Sequence, residues 1–271
     1  DVLAFDLRAS GNVKPVVNIG GSKTTLSYPY ALTEDAAKNI YVANDSGTQV
    51  AVFAPNANGN VKPTRVIGGS NSNLGPTEGM AIDASGNLWV GDYVNNKITE
   101  YPPNANGNVA PIDTIAGSNT QLDEPLGLAT NAKGQLFVAN RVGSSITVFA
   151  AGASGNAAPL GTIGGDKTGL LDPFAMTFDH DGRLLVADDY SGLLVFPKGA
   201  IGDVKPVQHI TGFTYADGVA VDEHNHIYVV DEAAGSIKEF ASNANGNATP
   251  IRTISGSNTG FNGATYLVIQ P

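Results

Sequence analysis

Apolar residues in this chain gather in short runs separated by turn-forming residues. In one stretch GMAIDA (79–84), NLWVGD (87–92), KITEYP (97–102) and PIDTIAG (111–117) follow one another. The links between them are rich in Asn, Gly, Ser and Pro, the chemistry of β-hairpin turns. This pattern predicts four β-strands. No 3.6-residue apolar stripe of useful length occurs, so helices are expected to be nearly absent. The runs at second position, NIYVAN, NLWVGD, QLFVAN, RLLVAD and HIYVVD, are almost continuously apolar, as strands covered on both faces are. The third runs, KITEY and SIKEF, alternate polar with apolar and are expected to face water in part. That gradient places the first two strands of each group inside and the last two outside.

The group recurs. NANGNVKPTRVIGGSN (56–71) returns as NANGNVAPIDTIAGSN (104–119), ASGNAAPLGTIGGD (153–166) and NANGNATPIRTISGSN (243–258), with an earlier copy, ASGNVKPVVNIGGS, at 9–22. Its glycines are Gly11, Gly59, Gly107, Gly155 and Gly246, with a degenerate copy at Gly202-Asp203, so successive spacings are 48, 48, 48, 47 and 44. A period of this length in an all-β chain predicts radial four-stranded sheets, a β-propeller. Five blades are complete. The sixth is expected to combine a first strand near Thr265–Gln270 with outer strands at VLAFDL (2–7) and KPVVNIG (14–20), closing a single domain over 1–271. The repeated segment itself reads as the third-to-fourth-strand turn: Asn-Gly tolerates positive φ, and Pro stiffens an outer strand.

GMAIDASGNLWVGD, GLATNAKGQLFVAN and GVAVDEHNHIYVVD resemble the NHL-repeat family, with its Gly-hydrophobic-Ala-x-Asp strand, Asp-x-x-Gly-Asn turn and Tyr-Val-Ala-Asp strand. The resemblance covers essentially the whole chain and implies a six-bladed propeller. Since NHL-like propellers include binders, scaffolds and enzymes, function has to be sought in the site.

The copies disagree at one place. Hairpin alternation puts the long crossovers and the second-to-third-strand turns on one side, the crossover face. The residue just before each first strand is expected to line a channel mouth there: Tyr30, Glu78, Leu126, Phe174, Asp217 and Thr265. These positions share no consensus, and the pattern sets Tyr30 against Phe174 and Glu78 against Asp217. Just outside fall the ends of the second strands, Asn44, Asp92, Asn140, Asp188 and Asp231. The two sets together predict an acidic, aromatic-edged pocket for a cation or a small neutral ligand. A structural alternative for the outer set is that Asx side chains bond nearby backbone amides.

TEGMAID and ADGVAVD also resemble two metal-ligand signatures of the gluconolactonase and regucalcin family. That resemblance implies Glu78 and Asp217 as ligands of a divalent cation, calcium, in a lactonase, hydrolase or lyase. Its two further ligand positions fall on Leu126 and Phe174, which carry no oxygen donor.

Composition narrows the partners. Fifteen Lys and Arg against 25 Asp and Glu give a net charge of −10, which argues against nucleic acid. No apolar run approaches the ~20 residues of a membrane helix. Without cysteine there is no disulfide, thiolate metal site or cysteine nucleophile. Histidine is sparse: His180, His224 and His226 fall in first-to-second-strand turns, and His209 on an outer strand. No complete catalytic set can be assembled. The expectation is therefore a non-catalytic, monomeric, extracytoplasmic propeller. Its crossover face binds a small molecule, carbohydrate, peptide or protein through aromatics such as Tyr28, Tyr93, Tyr190, Phe213, Tyr215 and Phe261.

Overall fold

The structure, a computed structural model, describes residues 1–270. Every regular element among them is a β-strand. β1 (Val2–Ala4) and β2 (Val17–Ile19) form a two-stranded sheet. Five four-stranded sheets follow. The first holds β3 (Pro29–Glu34), β4 (Ile40–Asn44), β5 (Gln49–Phe53) and β6 (Arg65–Gly68). The second holds β7 (Met80–Ile82), β8 (Leu88–Asp92), β9 (Lys97–Tyr101) and β10 (Asp113–Ala116). The third holds β11 (Pro125–Thr130), β12 (Leu136–Asn140), β13 (Ser145–Phe149) and β14 (Gly161–Ile163). The fourth holds β15 (Pro173–Phe178), β16 (Leu184–Asp188), β17 (Gly192–Phe196) and β18 (Gln208–Ile210). The fifth holds β19 (Ala216–Val221), β20 (Ile227–Asp231), β21 (Ser236–Phe240) and β22 (Arg252–Ser255). Strands adjacent in sequence pair antiparallel, as short turns require.

Two expectations are corrected. Five complete sheets form, as expected, but the first strand expected of the sixth does not: the run 265–270 makes no regular strand. A first strand pairs with the second strand of its own sheet, and the chain supplies no second-strand run beside this one. Most third strands are also drier than their alternation suggests: β5, β9 and β13 are buried except at their first residue, and β17 throughout, whereas β21 faces water in part at Ile237 and Lys238, as expected. Their polar side chains are accommodated rather than solvated. Glu239 is held by two bonds from Arg252, at 2.5 and 2.7 Å. Burial, with the charges of Asp83 and Asp113 adding to it, pushes the Glu100 carboxyl above its ordinary range.

Contacts group the chain into two compact units. The first comprises Asp1–Val2, Val17–Gly143 and Thr147–Gly161; the second comprises Leu3–Val16, Ser144–Ile146 and the chain from Thr162 onward. In the first unit, Trp89, Ile98, Ile115, Leu128, Val138 and Phe149 form one core cluster, joining apolar faces of successive sheets. Each turn between first and second strand is tied by an acid or amide. Asp83 Oδ1 accepts from the amides of Ser85 and Asn87, and Asp222 Oδ1 from those of His224 and His226. Burial opposes ionisation of Asp222, but those amides and the His226 ring outweigh it and hold its carboxyl below the usual range.

The repeated segment proves to be a staple as well as a turn. Gly59, Gly107 and Gly155 sit at φ of +75°, +74° and +62° with open space where a Cβ would be, so they are needed for conformation, not room. The residue after each glycine reaches the preceding sheet's crossover. Asn60 Oδ1 accepts from Lys23 N at 2.7 Å, Asn108 Oδ1 from Asn71 N at 2.6 Å, and Asn156 Oδ1 from Asn119 N at 2.8 Å. In the second unit Asp203 does the same for Lys167 N, and Asn12 for Asn258 N. Beside them, backbone bridges join Gly59 to Ile19, Gly107 to Ile67 and Gly155 to Ile115, and in the second unit Gly202 to Ile163, Gly246 to Ile210 and Gly11 to Ile254. Asn108→Ala removes one such bond and is expected to cost about 1 kcal/mol in urea unfolding. A change below a few tenths would show that the contact is not stabilising.

Candidate functional site

The positions predicted to line a mouth share a local device. In β3, β11, β15 and β19 the pairing with the following strand slips where they lie: between Pro29 and Leu32, Pro125 and Leu128, Pro173 and Ala175, and Ala216 and Gly218. Ala216 faces Asp231 and Gly218 faces Val230, so Asp217 is the extra residue of a β-bulge. A bulge turns its side chain out of the regular alternation, which is how a strand end presents a group that a flat ladder would hide.

In the second unit this places Asp217 among acids. Its carboxyl is hydrogen-bonded to that of Asp189, in the turn after β16, with Glu232 and Asp231 close enough to be felt. Asp217 is only 4% exposed. Burial first, and then the Asp189 and Glu232 charges, push its carboxyl up to about 8, so at neutral pH the Asp189–Asp217 pair holds a proton. Asp217 Oδ1 is buried and finds no hydrogen-bond partner among the described residues. Lys238, beside Asp231, is already engaged: its Nζ lies 2.7 Å from Asp231 Oδ2, bonds the Gly212 carbonyl, and stands 5.0 Å over the Phe213 ring.

In the first unit Tyr30 and Glu78 are half-buried, whereas Leu126 is fully buried. Tyr93 lies in an acidic neighbourhood. Burial raises its hydroxyl above its ordinary pKa, and the charges of Asp45, Glu78, Glu124 and Asp92 add to this. Asp45 is itself raised by burial, against a bond from the Thr77 amide. Glu78 belongs to the first unit and Asp217 to the second. Phe174 is buried and packs on Tyr266, with ring centroids 5.7 Å apart, while the Tyr266 hydroxyl bonds the Phe174 carbonyl. Thr265 is buried beside them in sequence.

The outer Asx set is engaged in holding the crossovers. Asn44 Oδ1 accepts from Ser27 N, and Asn140 Oδ1 from Asp123 N. Asp188 accepts from four amides, those of Leu171, Asp172, Tyr190 and Ser191. Asp231 accepts from Thr214 and Tyr215. Asp92 bonds Asn95 through backbone and side chain and pairs with Lys97. All five are buried, and backbone geometry occupies the oxygens a ligand would use.

Sequence reasoning missed the residues one step further on: Asp45, Tyr93, Arg141, Asp189 and Glu232. They differ from copy to copy as freely as the mouth positions do, and that variability was the available signal. Of the aromatics on this side, Phe213 is spent on Phe240 and Phe261 on Phe5. Tyr28, Tyr190 and Tyr215 remain exposed, and the Tyr190 and Tyr215 rings meet edge-on at 6.0 Å.

Among the described residues no group of three or more His, Asp or Glu is placed to hold a metal ion. Leu126 and Phe174, buried and apolar, do not suit a hard cation, which needs six or more oxygens. His180 meets the neighbouring turn through its own ring, Nε2 lying 3.1 Å from the Asp222 carbonyl. His226 Nδ1 lies 3.0 Å from Asp222 Oδ2.

No protein-family model matches the chain, and no curated protein matches it in sequence. Solved structures do. A streptogramin B lyase matches with TM-score 0.59 and 11% identity over 86% of this chain and 70% of its own. The virginiamycin B lyase from Staphylococcus aureus matches with 0.58 and 14%, over 85% of this chain and 71% of that one. U3-55K matches with 0.62 and 15%, over 84% and 64%. At these identities the likeness concerns fold alone: the four-stranded antiparallel sheets are the blades of a β-propeller.

Proposed function

We propose that this chain is a six-bladed, NHL-like propeller whose role is recognition, and that its ligand is received on the crossover side by Asp217 and Asp189, against the exposed rings of Tyr190 and Tyr215. The sixth blade is supported by three repeats of a pattern. Val16 N bonds the Ala4 carbonyl as Thr64 N bonds that of Val52, making β1 and β2 a third and fourth strand. Gly11 bridges Ile254 as the other turn glycines bridge their neighbours. A Cβ on Gly218 would meet the Thr265 carbonyl oxygen at 2.5 Å, as one on Gly79 meets that of Leu126, which supports reading 265–267 as the counterpart of a first strand.

The observation that carries the recognition reading is the buried Asp217 Oδ1, without a hydrogen-bond partner among the described residues, in a carboxyl pair that retains a proton beside two exposed tyrosines. A buried acceptor without a donor is costly unless something supplies one. Two flat exposed rings offer contact area at little entropic cost. The reading carries with it a small-molecule, carbohydrate or peptide ligand, a monomer, and an extracytoplasmic setting. The net charge of −10 favours partners other than nucleic acid. The test is a fragment screen by amide chemical-shift mapping. Binders are expected to perturb residues 188–191, 213–217 and 231–233 and to lose those shifts in Tyr190→Ala; binders that cluster elsewhere would overturn the assignment.

A hydrolase or lyase is the second reading, favoured by the proton-holding acid, since a carboxyl protonated near neutrality can serve in proton transfer. The similar structures that are lyases add only the fold. In the form that uses Glu78 and Asp217 on calcium, millimolar calcium should raise the melting temperature of wild type and not of Glu78→Ala. No shift in either removes the metal-dependent form.

A further inference from the structure

We propose that Asn262 is a modification site: its side chain closes on the backbone nitrogen of Gly263, releases ammonia, and leaves an aspartate or isoaspartate beside Glu232. This chemistry is independent of the ligand received beside Asp217.

Asn-Gly occurs at 58–59, 106–107, 245–246 and 262–263. Glycine puts no Cβ in the way of a side chain folding back on its nitrogen, so each pair is able to form a five-membered imide. All of these residues are exposed, and all four glycines hold φ between +63° and +75°. Neither solvent access nor backbone conformation separates them. Hydrogen bonding does. Gly59 N donates to the Asn18 carbonyl at 2.7 Å, Gly107 N to that of Val66 at 2.6 Å, and Gly246 N to that of His209 at 2.7 Å. The asparagine ahead of each glycine is held to the same residue: Asn58 Oδ1 accepts from Asn18 N, Asn106 Oδ1 from Val66 N, and Asn245 Oδ1 from His209 N. Both reacting groups are therefore pinned against a fourth strand, the nucleophile by one bond and the amide by another. Asn262 and Gly263, in the crossover ahead of the final run, make no such bonds among the described residues.

The step balances with water as the only co-reactant. Gly263 N loses its proton and attacks Asn262 Cγ. The N–Cγ bond forms, the Cγ–Nδ2 bond breaks, and Nδ2 departs as ammonia with the proton. Water then opens the imide. Cleavage at Cγ gives an aspartate, and cleavage at the main-chain carbonyl of residue 262 gives an isoaspartate, whose backbone runs through the side-chain carbon. Either product turns a neutral amide into a carboxylate, making the net charge one unit more negative than −10. The new charge arrives at the acidic cluster. A Cβ on Gly263 would lie 3.4 Å from Glu232 Oε1, and Glu232 is one of the charges felt by Asp217. The isoaspartate also lengthens the chain by one carbon just ahead of the buried Thr265.

In the folded chain a held pair reacts only when both of its bonds open, which lowers its reactive population at least about tenfold relative to 262–263. The test incubates the full chain at mildly alkaline pH in isotopically labelled water and maps its peptides by mass, beside a parallel sample in urea. In the folded protein, Asn262 is expected to convert, with uptake of the label, at least about tenfold faster than Asn58, Asn106 or Asn245. In urea all four should convert at comparable rates, because the dipeptide is the same. Asn262→Gln, which would need a six-membered ring, should stay intact at that position. Equal rates at the four pairs in the folded chain, or no conversion at Asn262 while the unfolded chain reacts, would overturn the proposal. The same preference for Asn262 in urea would overturn it too, since the selection would then come from sequence and not from the fold. Asn262→Asp, which carries the charge without lengthening the backbone, should move the amide resonances of residues 231–233. Unmoved resonances there would overturn the placement of the new charge beside Glu232.

Discussion

At pH 8 the Asp217→Asn protein melts about 5 °C above wild type, and the difference closes as the pH is lowered towards 4. The folded chain keeps the Asp217 proton up to about pH 8. An aspartate in the unfolded chain releases its proton near 4. Between those values the folded state binds more protons than the unfolded, so wild-type stability declines as pH rises through this window. Each pKa unit is worth about 1.4 kcal/mol, which sets a ceiling of roughly 6 kcal/mol for a shift from 3.8 to about 8. Sharing of the proton with Asp189, and water reaching that half-buried partner, reduce this to about 2 kcal/mol, or about 5 °C for a chain of this size. Asparagine keeps a donor for Asp189 and has nothing to titrate. Melting curves of both proteins from pH 4 to 9 check this, and parallel profiles would show that Asp217 is not the group that titrates. If binding and stability respond in opposite directions to this one substitution, the acid is retained for its ligand at a cost to the fold.

Gly79→Ala is expected to lose more than about 4 kcal/mol, enough to leave little folded protein. A Cβ there would lie 1.5 Å from the Leu126 carbonyl oxygen and 2.6 Å from its carbon. No side chain can rotate away, because the obstacle is the backbone of β11 itself, so two first strands would have to part. Gly107→Ala is the control: its φ is +74° but nothing lies within 4 Å, so only backbone strain opposes it, about 1 kcal/mol. Urea unfolding of both variants separates the two reasons for a glycine. Comparable losses would mean that β7 and β11 do not depend on this close approach.

The turns and strands were legible because they depend on neighbours in sequence. The apolar run NLWVGD, the alternation in KITEY, and the Asn-Gly turns between third and fourth strands state their conformation within a few residues, and the structure places β8, β9 and the positive-φ glycines there. The burial of KITEY was misread for the same reason: Glu100 alternates correctly, but what covers it is not local. The missing strand after Thr265 was visible only as a run without a following partner.

The candidate site was legible in half. Asp217 stood out because it varies where its neighbours repeat. Asp189 and Glu232 vary from copy to copy as well, but only the bulge in β19 and the turn after β16 bring them to Asp217. The sequence by itself determined the four-stranded repeat, the acidic surface and the positions where copies differ, because period, charge and turn chemistry are properties of adjacent residues. Only the tertiary structure decided that two aspartates hold one proton and that the repeated asparagines bond the neighbouring sheet. Both depend on distances across strands far apart in the chain, and burial changes the pKa of a carboxyl that its own sequence leaves ordinary.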